Sequence, residues 1–330
     1  MEAIRVCLAL VLSLYLLVPS ASASSLKVGF YKRTCPEAET IVRNVVGRAV
    51  GNNRGIAAGV IRMHFHDCFV RGCDGSVLLD STPGKPAERQ HPANNPSLRG
   101  FEVIDEAKAV LESHCPNTVS CADVLAFAAR DAAYFTGGFF YELPGGRRDG
   151  RVSLESEVQG NIPPPSFNAE QLKENFARKG LSVDEMVTLS GAHSIGVSHC
   201  SSFNSRLYGF NSTHQQDPSM DPDLAAFLKS RCPRPRANNQ RDPTVPLDLA
   251  TPYHLDIQYY RNLKKGRGLL TSDQTLWSSS RTAKLVAANT KNPHRWQEKY
   301  AAAMVHMGSI DVLTGRKGEI RRRCRVVNRH

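Results

Sequence analysis

Cys35, Cys68, Cys73, Cys115, Cys121, Cys200, Cys232 and Cys324 constrain this chain more than any other feature. An even set of cysteines in an exported protein points to disulfides that the fold must accommodate. Export is read from the first residues. A positive charge lies within Met1 to Arg5, Val6 to Val18 is continuously apolar, and Ala21-Ser22-Ala23 supplies small residues for cleavage. Residues 1–23 thus read as a signal peptide, with a mature chain of 24–330 that loses the ninth cysteine, Cys7. The apolar run falls short of the roughly 20 residues of a membrane span, and no later stretch approaches that length. The count leaves the pairing open. Zinc is the competing use, but the chain has no CxxC pair and its spacings are long and irregular. Asn211-Ser212-Thr213 is a glycosylation sequon that agrees with export.

Most of the remaining chain reads as helix. Glu37 to Val50 follows Pro36 and carries Ile41, Val45 and Val46 at helical spacing. Ser120 caps a helix that ends at Gly137-Gly138. Ser182 to Glu185 is a capping box opening a helix toward Leu189, and Asn292-Pro293 starts another that runs to Met307. Strand-like alternation is scarce. The expected class is mainly α, in one chain-spanning domain with room for two lobes.

Reactive side chains concentrate in Arg62-Met63-His64-Phe65-His66-Asp67-Cys68-Phe69, which follows the apolar stretch Ile56 to Ile61. On a buried helix Arg62 and His66 share a face with Phe65 beside them, while His64 points away. That geometry opposes a His64/His66 metal pair and places a cation and a titratable base in one cavity. Asp67, Val70, Gly72, Asp74 and Ser76 then offer carboxylates, a hydroxyl and carbonyls spaced mostly two apart, as Ca²⁺ requires. The loop is not an EF-hand, and a plain Asp/Gly turn is the alternative.

A second centre is Leu189-Ser190-Gly191-Ala192-His193-Ser194-Ile195-Gly196, where small residues let backbone approach something large and flat around His193. A satisfied core histidine is the bland alternative. Asp248, Thr251 and Asp256 repeat the oxygen-rich spacing downstream, and Asp273 lies isolated in Thr271-Ser272-Asp273-Gln274. The net charge of +11 includes a cluster at Arg321, Arg322, Arg323 and Arg325. A basic surface gathers polyanions. For an exported protein, acidic polysaccharide is a better match than nucleic acid, and a solvated surface is the alternative.

These segments together resemble the class III secretory peroxidases of plants, from about Gly29 to Val327. The resemblance rests on Arg62–Ser76, Arg99-Gly100-Phe101-Glu102-Val103-Ile104-Asp105, Val119-Ser120-Cys121-Ala122-Asp123, Gly146-Arg147-Arg148-Asp149, Leu189–Gly196 and Ser272-Asp273-Gln274, in that order. It implies a haem peroxidase fold, with two helical lobes sandwiching one haem b and little β. By resemblance, His193 is the axial ligand to haem iron and Asp273 its carboxylate partner. His66 is the distal base, Arg62 its cationic partner, Phe65 a wall over the haem, and Asn94 the acceptor for the His66 N–H. Pro163, in Asn161-Ile162-Pro163-Pro164-Pro165, matches the proline that meets phenolic donors.

The resemblance also implies two Ca²⁺ ions. One is held by Asp67, Val70, Gly72, Asp74 and Ser76, with Glu88 acting through water. The other is held by Ser194, Asp248, Thr251 and Asp256, with a carbonyl near His254. The implied pairing is Cys35–Cys115, Cys68–Cys73, Cys121–Cys324 and Cys200–Cys232. The implied protein is a secreted monomer, bound neither to nucleic acid nor to membrane, that reduces hydrogen peroxide while oxidising phenols one electron at a time. The end of the chain six residues after Cys324, with no apolar extension, favours the cell exterior. Tyr141 stands where many members carry Trp, and Ser194 where Thr is commoner; neither removes a chemical group that the site needs. A catalytically silent glycan binder on the same scaffold is the alternative function.

Overall fold

The computed structural model describes residues 26–234 and 242–329. The leader, with Cys7 and the expected start at Ser24, lies outside the described residues. Twelve α-helices and one short antiparallel pair of strands make up the described regular structure, besides single 3₁₀ turns. This is the mainly α architecture expected, with very little β.

Helices α1 (Ala38–Asn52), α2 (Ile56–Val70), α3 (Phe101–His114) and α4 (Cys121–Gly137) form the first group, with α4 packed against the other three. Ser120 caps α4 by accepting from the Asp123 N–H at 3.1 Å, and Gly138 ends it in the left-handed region at φ 71°. Every residue from Cys121 to Ala133 is buried, so the alanine-rich sequence of α4 lets neighbours close in on all sides. Its charged groups are paired. Asp123 accepts from Arg147 at 2.7 Å, from the Tyr31 hydroxyl at 2.7 Å and from the Gly146 N–H at 2.6 Å, while Arg130 holds Asp131. Two of the motifs, Val119–Asp123 and Gly146–Asp149, are therefore one buried polar network. Removing a single partner would strand a desolvated charge.

The second group contains α5 (Ala169–Arg178), α6 (Val183–Ser190), α9 (Gln258–Lys264), α10 (Thr271–Ser278), α11 (Ser280–Asn289) and α12 (Pro293–Met307). The capping box on α6 forms as read, with Ser182 and Glu185 satisfying each other's backbone N–H groups. Helix α12 starts at Pro293 behind the Asn292 cap. Between α6 and α9 in the chain, α7 (Asn204–Leu207), α8 (Pro222–Arg231) and the strands β1 (Val197–His199) and β2 (Thr244–Pro246) enclose a small separate core. Val197 pairs with Pro246 and His199 with Thr244.

Four disulfides close, Cys35–Cys115, Cys68–Cys73, Cys121–Cys324 and Cys200–Cys232. Cys121–Cys324 spans 203 residues and fastens the carboxy-terminal segment to the start of α4. Cys68–Cys73 pinches the loop after α2. Such links act largely by restricting the unfolded chain.

The basic cluster expected at the carboxy-terminal end is only partly at the surface, with Arg322 and Arg323 exposed and Arg325 half-buried. Arg321 is fully buried, donating to the Gly75 carbonyl at 2.6 Å and the Cys324 carbonyl at 2.9 Å, with Asp149 3.8 Å away. Arg325 pairs with Asp105 at 2.6 Å, and Arg322 donates to the Asn117 side chain at 2.7 Å. The Cys121–Cys324 bond draws this segment inward, so three of its four arginines, Arg321, Arg322 and Arg325, have internal partners.

Candidate functional site

Helix α2 carries Arg62, Phe65 and His66 on one face, as 3.6-residue periodicity requires. Gly59, one turn earlier, lets the Arg99 carbonyl come close; a Cβ there would meet that oxygen at 2.7 Å. The loop before Arg99 is thus laid against α2, and it supplies the polar partners of the helix. Arg62 donates to Ser97 Oγ at 3.0 Å and to the Ala93 carbonyl at 2.8 Å. Burial, helped by Arg99, pushes the Arg62 guanidinium down to about 10, which still leaves it cationic at neutral pH. The Phe65 ring meets His66 edge-on at 5.5 Å and packs on Phe69 at 4.3 Å.

Asn94 fixes the protonation of His66. The Asn94 amide nitrogen donates to the Glu88 carbonyl at 2.7 Å, so its oxygen faces His66 Nδ1 at 2.6 Å. That oxygen can only accept, which puts the imidazole proton on Nδ1 and leaves Nε2 with a free lone pair. Burial first, and then Arg62, hold the His66 pKa well below its usual value, against a smaller upward pull from Asn94. The ring is therefore a neutral base.

His64 lies elsewhere. It is buried beside Cys68 and Arg147, and burial followed by Arg147 pushes it down to about 3. Cys68 and Cys73 lie near it, but their disulfide leaves neither sulfur free as a thiolate ligand.

His193 sits in the single turn Gly191–Ser194 that follows α6. Gly191 is required there, since a Cβ would strike the Tyr260 hydroxyl at 2.6 Å and the Trp296 ring at 2.8 Å. His193 Nδ1 meets Asp273 Oδ1 at 2.7 Å, with Asp273 buried at the start of α10. Burial lowers the affinity of His193 for a proton, yet Asp273 more than offsets this and the net shift is upward. The positive charge of Arg62 opposes that shift. The His193 ring keeps 38% of its side-chain surface despite its deep position. A half-buried imidazole whose Nδ1 is engaged by a carboxylate and whose ring stays partly open has the donor that a haem iron needs.

The oxygen-rich loops also fit cations. Asp67, Ser76 and Glu88 are fully buried, and Asp74 nearly so. Ser76 Oγ and both Glu88 carboxylate oxygens are buried without a hydrogen-bond partner. Burial drives the Asp67 pKa well up, with Asp74 adding to it, and pushes Glu88 up to about 8. Three desolvated carboxylates beside orphaned oxygens make a site built for a hard cation. Val70 and Gly72 lie on the same bend, Val70 ending α2 and Gly72 at φ 95°. On the other side, Thr251 Oγ1 contacts Asp248 at 3.5 Å and Asp256 at 3.3 Å, and Ser194 Oγ accepts from the Asp256 N–H at 3.1 Å. The exposed His254 donates its N–H to the Thr251 carbonyl. Asp67 follows His66 in the chain and Ser194 follows His193.

Pro163 is half-buried in the segment after Val158, and Pro165 in that segment accepts from the Ser272 N–H, next to Asp273. Reading the sequence alone did not single out Tyr259, whose hydroxyl also reaches Asp273, or Ser97 and Ala93, which hold Arg62. Backbone carbonyls and long-range hydroxyl contacts leave no periodic signal.

A profile of the family described as peroxidase matches residues 42–292. The chain is 55% identical to Peroxidase 5 of Vitis vinifera over 305 residues, covering 92% of each. It is 49% identical to Peroxidase 1 of Zea mays over 96% of this chain and 87% of that one. With Peroxidase 30 of Arabidopsis thaliana the figure is 43% over 328 residues, 99% of this chain and 98% of the other. Haem and calcium belong to this family, and hydrogen peroxide and a reducing donor are its substrates. Nothing in these relationships supports the silent glycan binder. Matched over most of its length and carrying both histidine centres, the chain belongs to the class III plant peroxidases and is a haem peroxidase.

Proposed function

We propose that this peroxidase oxidises small phenols with the residues described above, using one haem b and two Ca²⁺ ions. The observation that carries the reading is the free Nε2 of His66, fixed by Asn94 on the helix face that also carries the cationic Arg62. When bound, the haem supplies the redox chemistry, held through His193. His66 Nε2 takes the proton from one peroxide oxygen and returns it to the other, so that water leaves rather than hydroxide. Arg62 stabilises the negative charge that develops as the O–O bond breaks. Phe65 and its neighbours Phe69 and Phe176 keep water from that side. Asp273 accepts from His193 Nδ1, orients the ring and makes Nε2 more electron-donating. Each peroxide accepts two electrons, one from each of two donors, and the half-buried Pro163 offers them a carbonyl.

Asp67, Asp74, Ser76 and Glu88, with the Val70 and Gly72 carbonyls, would hold one cation. Ser194, Asp248, Thr251 and Asp256, with a carbonyl near His254, would hold the other. Each anchors the backbone beside a catalytic histidine.

The four disulfides support a location outside the cell, where the protein would act as a monomer. Among the described residues no helix is long and apolar enough to cross a membrane. Asn211 is exposed in its sequon, which supports a glycan there. Acidic wall polysaccharide is the proposed polyanionic partner, through the overall charge rather than an arginine patch.

The test is a purified protein loaded with haem. A Soret band and peroxide-dependent oxidation of guaiacol are expected. His193→Ala should lose haem retention, and retention unchanged in that variant would remove His193 from its role.

A further inference from the structure

Asp273 carries more hydrogen bonds than orienting His193 requires. Its Oδ1 accepts from His193 Nδ1 at 2.7 Å and, separately, from the Tyr259 hydroxyl at 3.0 Å. Its Oδ2 accepts from the Leu270 N–H at 3.1 Å. Tyr259 is 4% exposed and turns its ring edge toward His193, with centroids 6.3 Å apart. Burial, followed by the charge of Asp273, holds the phenol well above its ordinary pKa, so it remains a donor at any working pH.

The position of Tyr259 is also fixed by its surroundings. Its neighbour Tyr260 donates to the carbonyls of Val187 and Thr188, both at 2.9 Å, and accepts from Trp296 Nε1 at 2.8 Å. Three residues before Tyr259 comes Asp256, whose carboxylate caps the Gln258 N–H at 2.7 Å. The start of α9 is thus tied to the oxygen-rich loop at one point and to α6 and α12 at another. Tyr259 has little freedom to leave Asp273.

We propose that Tyr259 is a positioning residue that sets how strongly Asp273 draws the Nδ1 proton of His193, and so how strongly His193 donates to iron. The inference rests on His193 being the axial ligand. Two donors sharing one carboxylate oxygen divide its negative charge between them. With the phenol in place, Asp273 pulls less on the imidazole proton. Without it, His193 gains imidazolate character and favours ferric over ferrous iron.

The experiment uses the haem-loaded protein. It reads the ferric/ferrous midpoint potential and the iron–histidine stretching frequency in the resonance Raman spectrum of the ferrous state. Tyr259→Phe keeps the ring and removes only the hydroxyl. The midpoint should fall, by about 59 mV if the ferric-to-ferrous ratio changes tenfold, and the stretch should move to higher frequency. Difluorotyrosine at position 259, a stronger donor of the same shape, should move both readings the opposite way. That opposite sign is what a merely structural tyrosine cannot produce, and it remains readable if the Phe variant folds poorly. Unchanged midpoint and stretch in both variants, in a protein whose wild type shows the histidine stretch, would overturn the role of Tyr259 alone. A wild type without that stretch would overturn the ligand assignment and this inference with it.

Discussion

Asn94 Oδ1 lies 2.6 Å from His66 Nδ1, while the amide nitrogen of the same side chain is tied to the Glu88 carbonyl at 2.7 Å. One short side chain thus fixes the tautomer of the distal base and joins it to the wall of the proposed cation site. Asn94→Ala should leave the fold and haem binding intact but slow the reaction with peroxide by about 10–100-fold, the usual cost of losing an orienting partner. Stopped-flow mixing with peroxide measures it. A rate equal to wild type would mean that the protein does not need Asn94 to keep Nε2 free.

The carboxylates around Glu88 make stability depend on pH in opposite ways with and without calcium. In the cation-free fold, burial raises Asp67, Asp74 and Glu88, Glu88 to about 8. A raised carboxyl binds more protons folded than unfolded, so stability falls as pH rises from the ordinary carboxylate range toward 8. A bound cation replaces those protons. The chelated protein should therefore lose melting temperature between pH 5 and pH 8, with activity falling alongside. The calcium-loaded protein should hold steady over the same window. Parallel melting curves at the two pH values, with and without chelator, decide it; equal pH dependence in the two forms would count against a cation at this loop.

The carboxy-terminal arginines should divide by burial rather than by sequence position. Arg321→Ala strands Asp149 and two carbonyls in the interior and should destabilise by about 3–5 kcal/mol. Arg322→Gln and Arg323→Gln should each stay within about 0.5 kcal/mol. Retention on a pectate column should weaken steeply with salt, because screening shortens from about 10 Å at 0.1 M to about 3 Å at 1 M. The Arg322/Arg323 double variant should elute close to wild type. Its early elution would restore the carboxy-terminal end as the docking site.

The helical class, the α2 face and the oxygen-rich run from Asp67 to Ser76 were legible because their signals are local. Arg62 and His66 are one turn apart, Ser182 and Glu185 form a capping box, and Asp67 to Ser76 alternates its oxygens. Tyr259 and Asp273 are 14 residues apart, and their contact depends on how α9 packs against α10. No periodicity announces that. Arg321 misled in the opposite direction, because a run of arginines looks like a solvated face until a disulfide such as Cys121–Cys324 draws one of them inside. Long-range partners decided both outcomes.

The central claim is that His66 moves the proton of peroxide while His193 holds the haem. Stopped-flow measurement of peroxide reaction in haem-loaded His66→Ala tests it most directly. The Soret band should remain, and the rate should fall by at least the roughly 10²–10⁴-fold that a positioned acid–base group contributes. A variant that keeps its haem and reacts with peroxide at close to the wild-type rate would contradict the account.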